Sequence, residues 1–148
     1  MHEILGRLIS NVVKLEKAQA MSNLSKILHA DDCADIRELT KMSLEILGGF
    51  KLLQCTNGQE TLDQAEKFNP DLILMDVMMP VKDGPTAVRK LRQISVFSDT
   101  PVVFMTAKAS SVDVERLKDE FKADVITKPF DPTALPDQLR SIWEKLAI

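Results

Sequence analysis

The feature that most constrains this chain is a repeated alternation. From Lys26 onward, short apolar runs of β-forming residues alternate five times with longer segments of helical periodicity. The runs predict strands at residues 27–30, 50–55, 71–75, 101–105 and 124–127. Three of them hold consecutive apolar residues without alternation, as expected of strands covered by helices on both faces. The sequence therefore predicts a doubly wound, five-stranded parallel α/β sheet with right-handed crossovers.

Local signals mark the helix boundaries. An apolar stripe predicts the buried face of the first helix of the repeat, and Gly48 is expected to end that helix in the left-handed conformation; the stripe consists of Ile36, Leu39, Ile46 and Leu47. Asn57 and Glu60 form a candidate capping box for the second helix, which ends near Phe68 before Asn69-Pro70.

The later helices have similar signals. Lys82-Asp83-Gly84 predicts a loop before a helix that reaches about Gln93, and Ser110 or Ser111 can cap the next one. The last helix has two possible starts: Asp131-Pro132, a cap followed by a first-turn proline, or Thr133, because Pro136 also fits only a first turn.

Residues 1–22 lie outside the alternation. Leu5, Leu8, Val12 and Leu15 recur at spacings of three and four, which predicts one amphipathic helix. Two interpretations stay open: the helix packs on its own domain or forms an accessory tail, or it is a dimerisation or docking helix. Two heptads are too few to specify a coiled coil.

Composition excludes several classes of protein. The chain of 148 residues is 45% hydrophobic, with 19 basic and 22 acidic residues, which fits one globular domain. It has no apolar run near the roughly 18 residues of a membrane span, and its scattered cations argue against nucleic-acid binding. Cys33 and Cys55 are expected to be reduced thiols in a cytoplasmic protein without membrane insertion.

Polar residues follow four of the predicted strands. Asp31 and Asp32 follow the first, Asp76 the third, Thr106 the fourth and Lys128 the fifth. Ligands of such sheets collect at the carboxyl ends of the strands, so we expect these residues to share one crevice. Three close carboxylates favour a cation, and Mg2+ prefers oxygen ligands. An Asp beside the ion can attack phosphorus, while Thr106 and Lys128 can hold the phosphoryl oxygens.

These residues fall in four blocks of characteristic order and spacing. The blocks are Asp31-Asp32 after an apolar strand, the run from Leu72 to Pro80 with Asp83-Gly84, Met105-Thr106-Ala107, and Lys128-Pro129-Phe130. They resemble the receiver domains of two-component response regulators. The resemblance covers residues 26–148 and implies the flavodoxin-like receiver fold with strand order 2-1-3-4-5. The amphipathic helix predicted at the N-terminus is an addition to that fold. The domain division expected from it is a helical extension at 1–22 and a receiver at 23–148.

The resemblance also implies a role for each matched residue. Asp76 is similar to the phosphoacceptor, Thr106 to the residue that hydrogen-bonds the phosphoryl oxygen, and Lys128 to the lysine that pairs with it. The implied Mg2+ ligands are the carboxylates of Asp32 and Asp76, the backbone carbonyl of Met78, and Asp31, which acts largely through water.

Several positions depart from the family pattern. Val125 stands where the family often has an aromatic residue whose ring rotates as the threonine moves. Cys33 occupies a place commonly filled by an acidic or polar residue. His29 lies in a strand that is usually aliphatic. We expect it to be a hydrogen-bonded side chain next to the crevice rather than an additional ligand of the site.

The resemblance implies a stand-alone receiver, because the chain ends at Ile148 after the last helix. It would accept a phosphoryl group from a sensor histidine kinase or a histidine phosphotransfer protein, and signal by phosphorylation-dependent partner binding or phosphorelay. We expect no enzymatic turnover beyond slow autophosphorylation from small donors and autodephosphorylation. The expected output face runs from Ser110 to Phe121, over Asp124–Thr127 and along the final helix.

Two other classes of function stay open. A metal-dependent phosphatase with an Asp nucleophile generally needs an acid/base Asp two positions on, where this chain has Met78. A receiver-like interaction module that is never phosphorylated is the second alternative, and the N-terminal helix would then do the binding.

Overall fold

The fold follows the predicted alternation. The computed structural model describes residues 2–21, 23–108 and 110–147, and in the first helix it describes side chains for residues 2–12 only. The helices of the described part are α1 (His2–Met21), α2 (Ala34–Lys41), which continues as a π-helical segment (Met42–Leu47), α3 (Gly58–Phe68), α4 (Gly84–Arg92), α5 (Ser111–Phe121) and α6 (Leu135–Leu146). The strands are β1 (Lys26–Ala30), β2 (Lys51–Cys55), β3 (Leu72–Asp76), β4 (Val102–Thr106) and β5 (Asp124–Thr127), and a 3-10 turn covers Ser95–Phe97.

The five strands form one parallel sheet in the order β2-β1-β3-β4-β5, which confirms the predicted fold class and strand order. The register aligns the carboxyl ends of the strands, because Ala30 lies opposite Met75, Asp76 opposite Met105, and Thr106 opposite Thr127. The residues at the carboxyl ends of β1, β3, β4 and β5 therefore lie at one edge of the sheet.

Burial divides the core between the two faces of the sheet. All of β3 and β4 is buried, as expected of central strands in a parallel sheet. Alternate residues enter opposite layers: Leu28, Ile73 and Phe104 pack in one cluster, and Ile27, Leu74 and Met105 pack in the other. Helices α3, α4 and α5 contribute to the first cluster, and α6 with the π-helical segment contributes to the second.

Most of the predicted helix starts are confirmed. Asn57 Oδ1 accepts a hydrogen bond from Glu60 N at 2.8 Å, although the Glu60 carboxylate turns to Thr56 rather than closing the capping box on Asn57. Asp83 caps α4 through Thr86 N at 2.8 Å, and Ser110, not Ser111, caps α5. Side chains within three residues of the boundary made these starts readable.

The predicted buried stripe of the first repeat helix is wrong. Ile46 is 74% exposed, Leu39 and Leu47 are exposed as well, and the buried side chains are Thr40, Ser43 and Leu44. The change to π-helical geometry at Met42 shifts the phase of the later residues, and the Ser43 hydroxyl donates to Pro132 O at 2.6 Å. The left-handed residue after this segment is Gly49, with φ 71°, not Gly48.

The start of the last helix also differs from both expected positions. Helix α6 begins at Leu135, with Pro136 in its first turn. Asp131 Oδ1 instead accepts from the backbone N and the hydroxyl of Thr133, at 2.9 and 2.7 Å. The polar residues predicted to cap the helix therefore form a separate turn ahead of it.

Helix α1 forms as predicted, and the described part of it is not packed on the domain. Its apolar side chains from Ile4 to Val12 remain 50–65% exposed. The side chain of Leu15, which continues the predicted stripe, lies outside the described residues. No helix in the described ranges has both the length and the hydropathy of a membrane-crossing segment.

Candidate functional site

The carboxyl edge of the sheet gathers three carboxylates. Asp31 and Asp32 follow β1, and Asp76 is the last residue of the adjacent strand β3. One carboxylate oxygen from each lies within 4.8 Å of the others. Asp31 is fully buried, Asp76 is 6% exposed, and Asp32 faces solvent. This set of hard oxygen donors, open to solvent on one side, fits a Mg2+ ion that keeps part of its water shell.

Lys128 joins two of these carboxylates. Its Nζ lies 2.7 Å from Asp31 Oδ2 and 3.1 Å from Asp76 Oδ1. The backbone holds Lys128 beside the end of β4, since Lys128 N donates to Thr106 O at 2.8 Å. The Lys128-Pro129 bond is cis. One ammonium against three carboxylates leaves an excess of negative charge at the edge, and such an excess attracts a cation.

The charges of this cluster affect one another's protonation. Burial raises the pKa of Asp76, the charge of Asp31 raises it further, and Lys128 opposes both. Burial by itself lowers the pKa of Lys128, but the hydrogen bond and the charge of Asp31 outweigh it, so that the pKa is raised. Lys128 therefore stays an ammonium, whereas ionisation of Asp76 costs more than ionisation of an exposed carboxyl, and further positive charge would offset that cost.

Thr106 lies at the same edge, but its hydroxyl is engaged elsewhere. Thr106 Oγ1 accepts a hydrogen bond from Lys108 N at 3.0 Å and donates to Lys108 O at 3.1 Å. The hydroxyl thus braces the loop that leads from β4 to α5. A phosphoryl group on Asp76 would compete with this loop for the hydroxyl.

Met78 and Gly84 belong to the loop that follows Asp76. The Met78 side chain is exposed, so any contribution to a metal site comes from its backbone, as the resemblance implies. Val77 N donates to Met105 O at 3.0 Å and Gly84 N to Val77 O at 3.1 Å, which closes the loop. A Cβ at Gly84 would overlap the carbonyl oxygen of Asp76. Glycine is therefore required here for the backbone to pass the phosphoacceptor candidate.

The same loop contains a strained turn that the sequence did not predict. Val81 has φ 66°, and Lys82 N donates to Pro80 O at 2.7 Å across it. This is a γ-turn with a positive central φ, which is unfavourable for a β-branched residue. Backbone strain of this kind persists where the surrounding structure fixes the loop, and it clusters near functional sites.

A buried polar cluster beneath Asp31 was only partly anticipated. Gln54 Nε2 lies 3.1 Å from His29 Nδ1 and donates to Arg37 O at 2.7 Å, and Arg37 Nη1 donates to Asp31 O at 2.8 Å. Burial, as the largest cause, lowers the pKa of His29 to about 4, so the ring is neutral at pH 7. His29 Nε2 has no partner among the described residues. One of the two ring nitrogens of His29 thus has a hydrogen-bond partner among the described residues. His29 lies next to the site and is not part of the three-carboxylate group.

Comparisons with known proteins agree with this architecture. The family model described as the response regulator receiver domain matches residues 27–140, and the chain belongs to this family. It is 33% identical over 125 residues to the transcriptional regulatory protein CseB of Streptomyces coelicolor, covering 84% of this chain and 52% of that protein. It is 32% identical over 122 residues to the phosphate regulon transcriptional regulatory protein PhoB of Escherichia coli, covering 82% and 53%. The chain spans about half the length of these curated relatives.

Solved structures are similar over almost their whole length. The chemotaxis protein CheY4 of Vibrio cholerae superposes with a TM-score of 0.74 at 29% identity, covering 80% of this chain and 98% of that one. The receiver domain of the Francisella response regulator 1452 gives 0.73 at 28% identity, covering 82% and 98%. The N-terminal helix α1 precedes the stretch matched by the family model.

Proposed function

We propose that this receiver accepts a phosphoryl group from a phosphohistidine onto Asp76, in a Mg2+-dependent reaction. The observation that carries the proposal is the cluster of Asp31, Asp32 and Asp76 with Lys128 across two of its members. Mg2+ would be held by the Asp32 and Asp76 carboxylates and the Met78 carbonyl, with Asp31 acting through water. When bound, it supplies positive charge that neutralises the phosphoryl oxygens in the transition state.

The proposed transfer uses the protein groups in defined roles. A carboxylate oxygen of Asp76 attacks phosphorus, the P–N bond of the donor breaks, and the imidazole leaves with the electron pair and takes up a proton. The Lys128 ammonium, whose raised pKa keeps it charged, would pair with the transferred group. The negative charge that the phosphoryl group adds would thus lie beside the positive charge of the Lys128 ammonium.

Thr106 offers a route by which the site would report its state. Its hydroxyl would turn from Lys108 toward a phosphoryl oxygen and release both hydrogen bonds to the loop ahead of α5. The added charge would thus bias the loop and helix that form one edge of the proposed output face, α5, β5 and α6. Val125, half-buried on β5, offers no aromatic ring to this route.

The chain is proposed to act as a phosphoacceptor in signalling rather than as a turnover enzyme. Its proposed upstream partner is a sensor histidine kinase or a histidine phosphotransfer protein, and its output is phosphorylation-dependent partner binding or phosphorelay. The family assignment supports this proposal, and Met78 argues against a phosphatase because a thioether supplies no acid or base.

The decisive experiment is intact mass after incubation with acetyl phosphate and Mg2+. We expect one phosphoryl increment in the wild type and none in Asp76→Asn or after chelation of the metal. Asp83→Asn is the matched control, because Asn can also cap α4 and Asp83 is exposed outside the three-carboxylate group. The lack of an increment in the wild type, under conditions that phosphorylate another receiver, would favour the unphosphorylated interaction module.

A further inference from the structure

A cavity of about 500 Å3 opens at the amino edge of the sheet. Its walls come from the end of α4, the loop before β4, the end of α5 and the end of α6. Pro101 directly precedes β4 and Lys122 lies two residues before β5, so a strand length separates this cavity from the carboxyl edge. The space, called the amino-edge cavity below, is therefore distinct from the three-carboxylate site.

Positive charge dominates the lining of this cavity. Three of its lining residues are the cations Arg92, Lys122 and Lys145, and the carboxylate among them is Asp99. Within the described ranges, no carboxylate lies at ion-pair distance from any of the three cations. Three positive charges against one negative charge leave an excess of two, which a bound anion would offset.

Arg92 is the most constrained of these cations. Its Nη1 donates to Phe97 O at 2.8 Å and to Thr100 O at 2.6 Å, and its Nη2 donates to Phe121 O at 3.2 Å. These carbonyls fix the guanidinium, but they are neutral and leave its charge uncompensated. Burial lowers the pKa of Arg92, and the charge of Asp99 opposes this effect only in part. A guanidinium has five N–H donors, so two of them remain for another acceptor.

Lys122 stands at a backbone position that favours glycine. It caps the end of α5 in the left-handed conformation, with φ 51° and ψ 44°. Glycine adopts this conformation without the steric cost that other residues meet. Strained backbone of this kind is concentrated where a side chain has a function. The chain thus accepts an unfavourable conformation at a lysine that adds a cation to the amino-edge cavity.

We propose that the amino-edge cavity binds a compact phosphate compound. A phosphate monoester carries roughly two negative charges near pH 7, which matches the excess charge of the lining. It presents three acceptor oxygens to three cationic side chains, and guanidinium groups match phosphate geometry well. The volume lies in the range of cavities that hold small organic ligands. The described lining includes no aromatic ring to stack a nucleobase, which favours a compact phosphate over a nucleotide.

The carboxyl edge does not compete for such an anion when metal is absent. Its three carboxylates outnumber the Lys128 ammonium, so the edge repels negative charge. Binding measured without metal therefore reports on the amino-edge cavity. The outcome is also independent of whether Asp76 accepts a phosphoryl group.

The test is isothermal titration calorimetry of the full chain with inorganic pyrophosphate, in metal-free buffer of low ionic strength. We expect saturable binding at one site in the wild type. Lys145→Gln should bind at least about tenfold more weakly, because a hydrogen bond to a charged group is lost. Lys67→Gln is the matched control, since Lys67 is also an exposed lysine in the last turn of a helix but lies on α3. The control should bind like the wild type.

Two further variants change the charge of the cavity in opposite directions. Lys122→Gly removes a cation and gives the left-handed position the residue it favours, so the variant should fold and bind at least about tenfold more weakly. Asp99→Asn removes the opposing charge and should bind about threefold more tightly. Arg92 is kept, because its bonds to carbonyls join α4 to α5. Circular dichroism checks the fold of each variant.

Several results would overturn the proposal. A wild type without saturable binding of pyrophosphate has no such site, and equal weakening by Lys67→Gln assigns the binding to general attraction by surface charge. Loss of binding in Lys128→Met, with Lys145→Gln unaffected, moves the anion to the carboxyl edge. Citrate that binds more tightly than pyrophosphate, and loses affinity in the same variants, assigns the cavity to carboxylates instead of phosphates.

Discussion

The carboxyl edge of the sheet and the helix attached at its amino edge place their side chains in opposite ways. At the carboxyl edge, carboxylates and an ammonium are packed into largely buried positions within hydrogen-bond reach. On α1, five large apolar side chains face solvent. Burial makes charge costly, and exposure makes apolar area costly. The first region therefore favours a small hard cation and the second an apolar surface, and substitutions in the two regions should have different consequences.

The largest expected difference concerns two glycines, one in each region. Gly84→Ala should lower the free energy of unfolding by roughly 3 kcal/mol, because the new Cβ collides with the Asp76 backbone and the Met75 side chain. Gly6→Ala should instead stabilise α1 slightly, since no atom lies within 4 Å of the added carbon. Urea unfolding measures both. A Gly84→Ala variant as stable as the wild type would show that the loop after β3 can move aside.

The two histidines should separate the regions by pH dependence. The pKa of His29 falls from 6.5 to about 4 in the fold. The neutral ring therefore contributes fully to the free energy of unfolding above pH 6.5. That contribution should be lost as the pH falls from 6.5 toward 4, up to about 3 kcal/mol. His29→Leu should flatten this part of the stability profile. His2→Leu, a change on the exposed end of α1, should leave the profile as it is, and chemical denaturation at a series of pH values would reveal any exception.

Removal of the ammonium should expose the repulsion at the carboxyl edge. Lys128→Met is expected to cost about 2 kcal/mol in metal-free buffer, since it leaves Asp31 and Asp76 facing one another without their shared cation. Lys118→Met, which removes a partly exposed pair with Asp124, should cost less than about 0.5 kcal/mol. Thermal unfolding of the pair of variants provides the comparison. Equal losses would mean that the buried cluster is better solvated than its geometry indicates.

The smallest expected effect is a gain. Burial and the charge of Asp31 raise the pKa of Asp76, so the folded state binds this proton more tightly than the unfolded state. Metal-free stability should therefore rise as the pH falls through the raised pKa, and level off below the ordinary value of 3.8. At neutral pH and without metal, Asp76→Asn should raise the free energy of unfolding by about 1 kcal/mol. It should also remove the rise in stability that protonation of Asp76 produces. Denaturation against pH would contradict the assignment if Asp83→Asn produced the same gain.

Much of the site could be predicted because its residues lie at strand ends. Once the alternation had predicted a parallel sheet, Asp31, Asp76 and Lys128 had to meet at one edge, and the structure brings them together. Two details could not be predicted from the strand ends. The Thr106 hydroxyl bonds its own loop, and His29 joins a polar cluster with residues from β2 and α2. Neither contact leaves a pattern in the neighbouring sequence.

The sequence by itself determined the strands, their parallel arrangement and most helix starts, because these depend on side chains a few residues apart. Asn57, Asp83 and Ser110 each satisfy a backbone donor three residues on, whatever the rest of the fold does. Only the tertiary structure decided which side of α2 is buried and that the described apolar side chains of α1 are left uncovered. Burial depends on which distant surfaces arrive beside a helix, and apolar periodicity is the same whether or not a surface arrives.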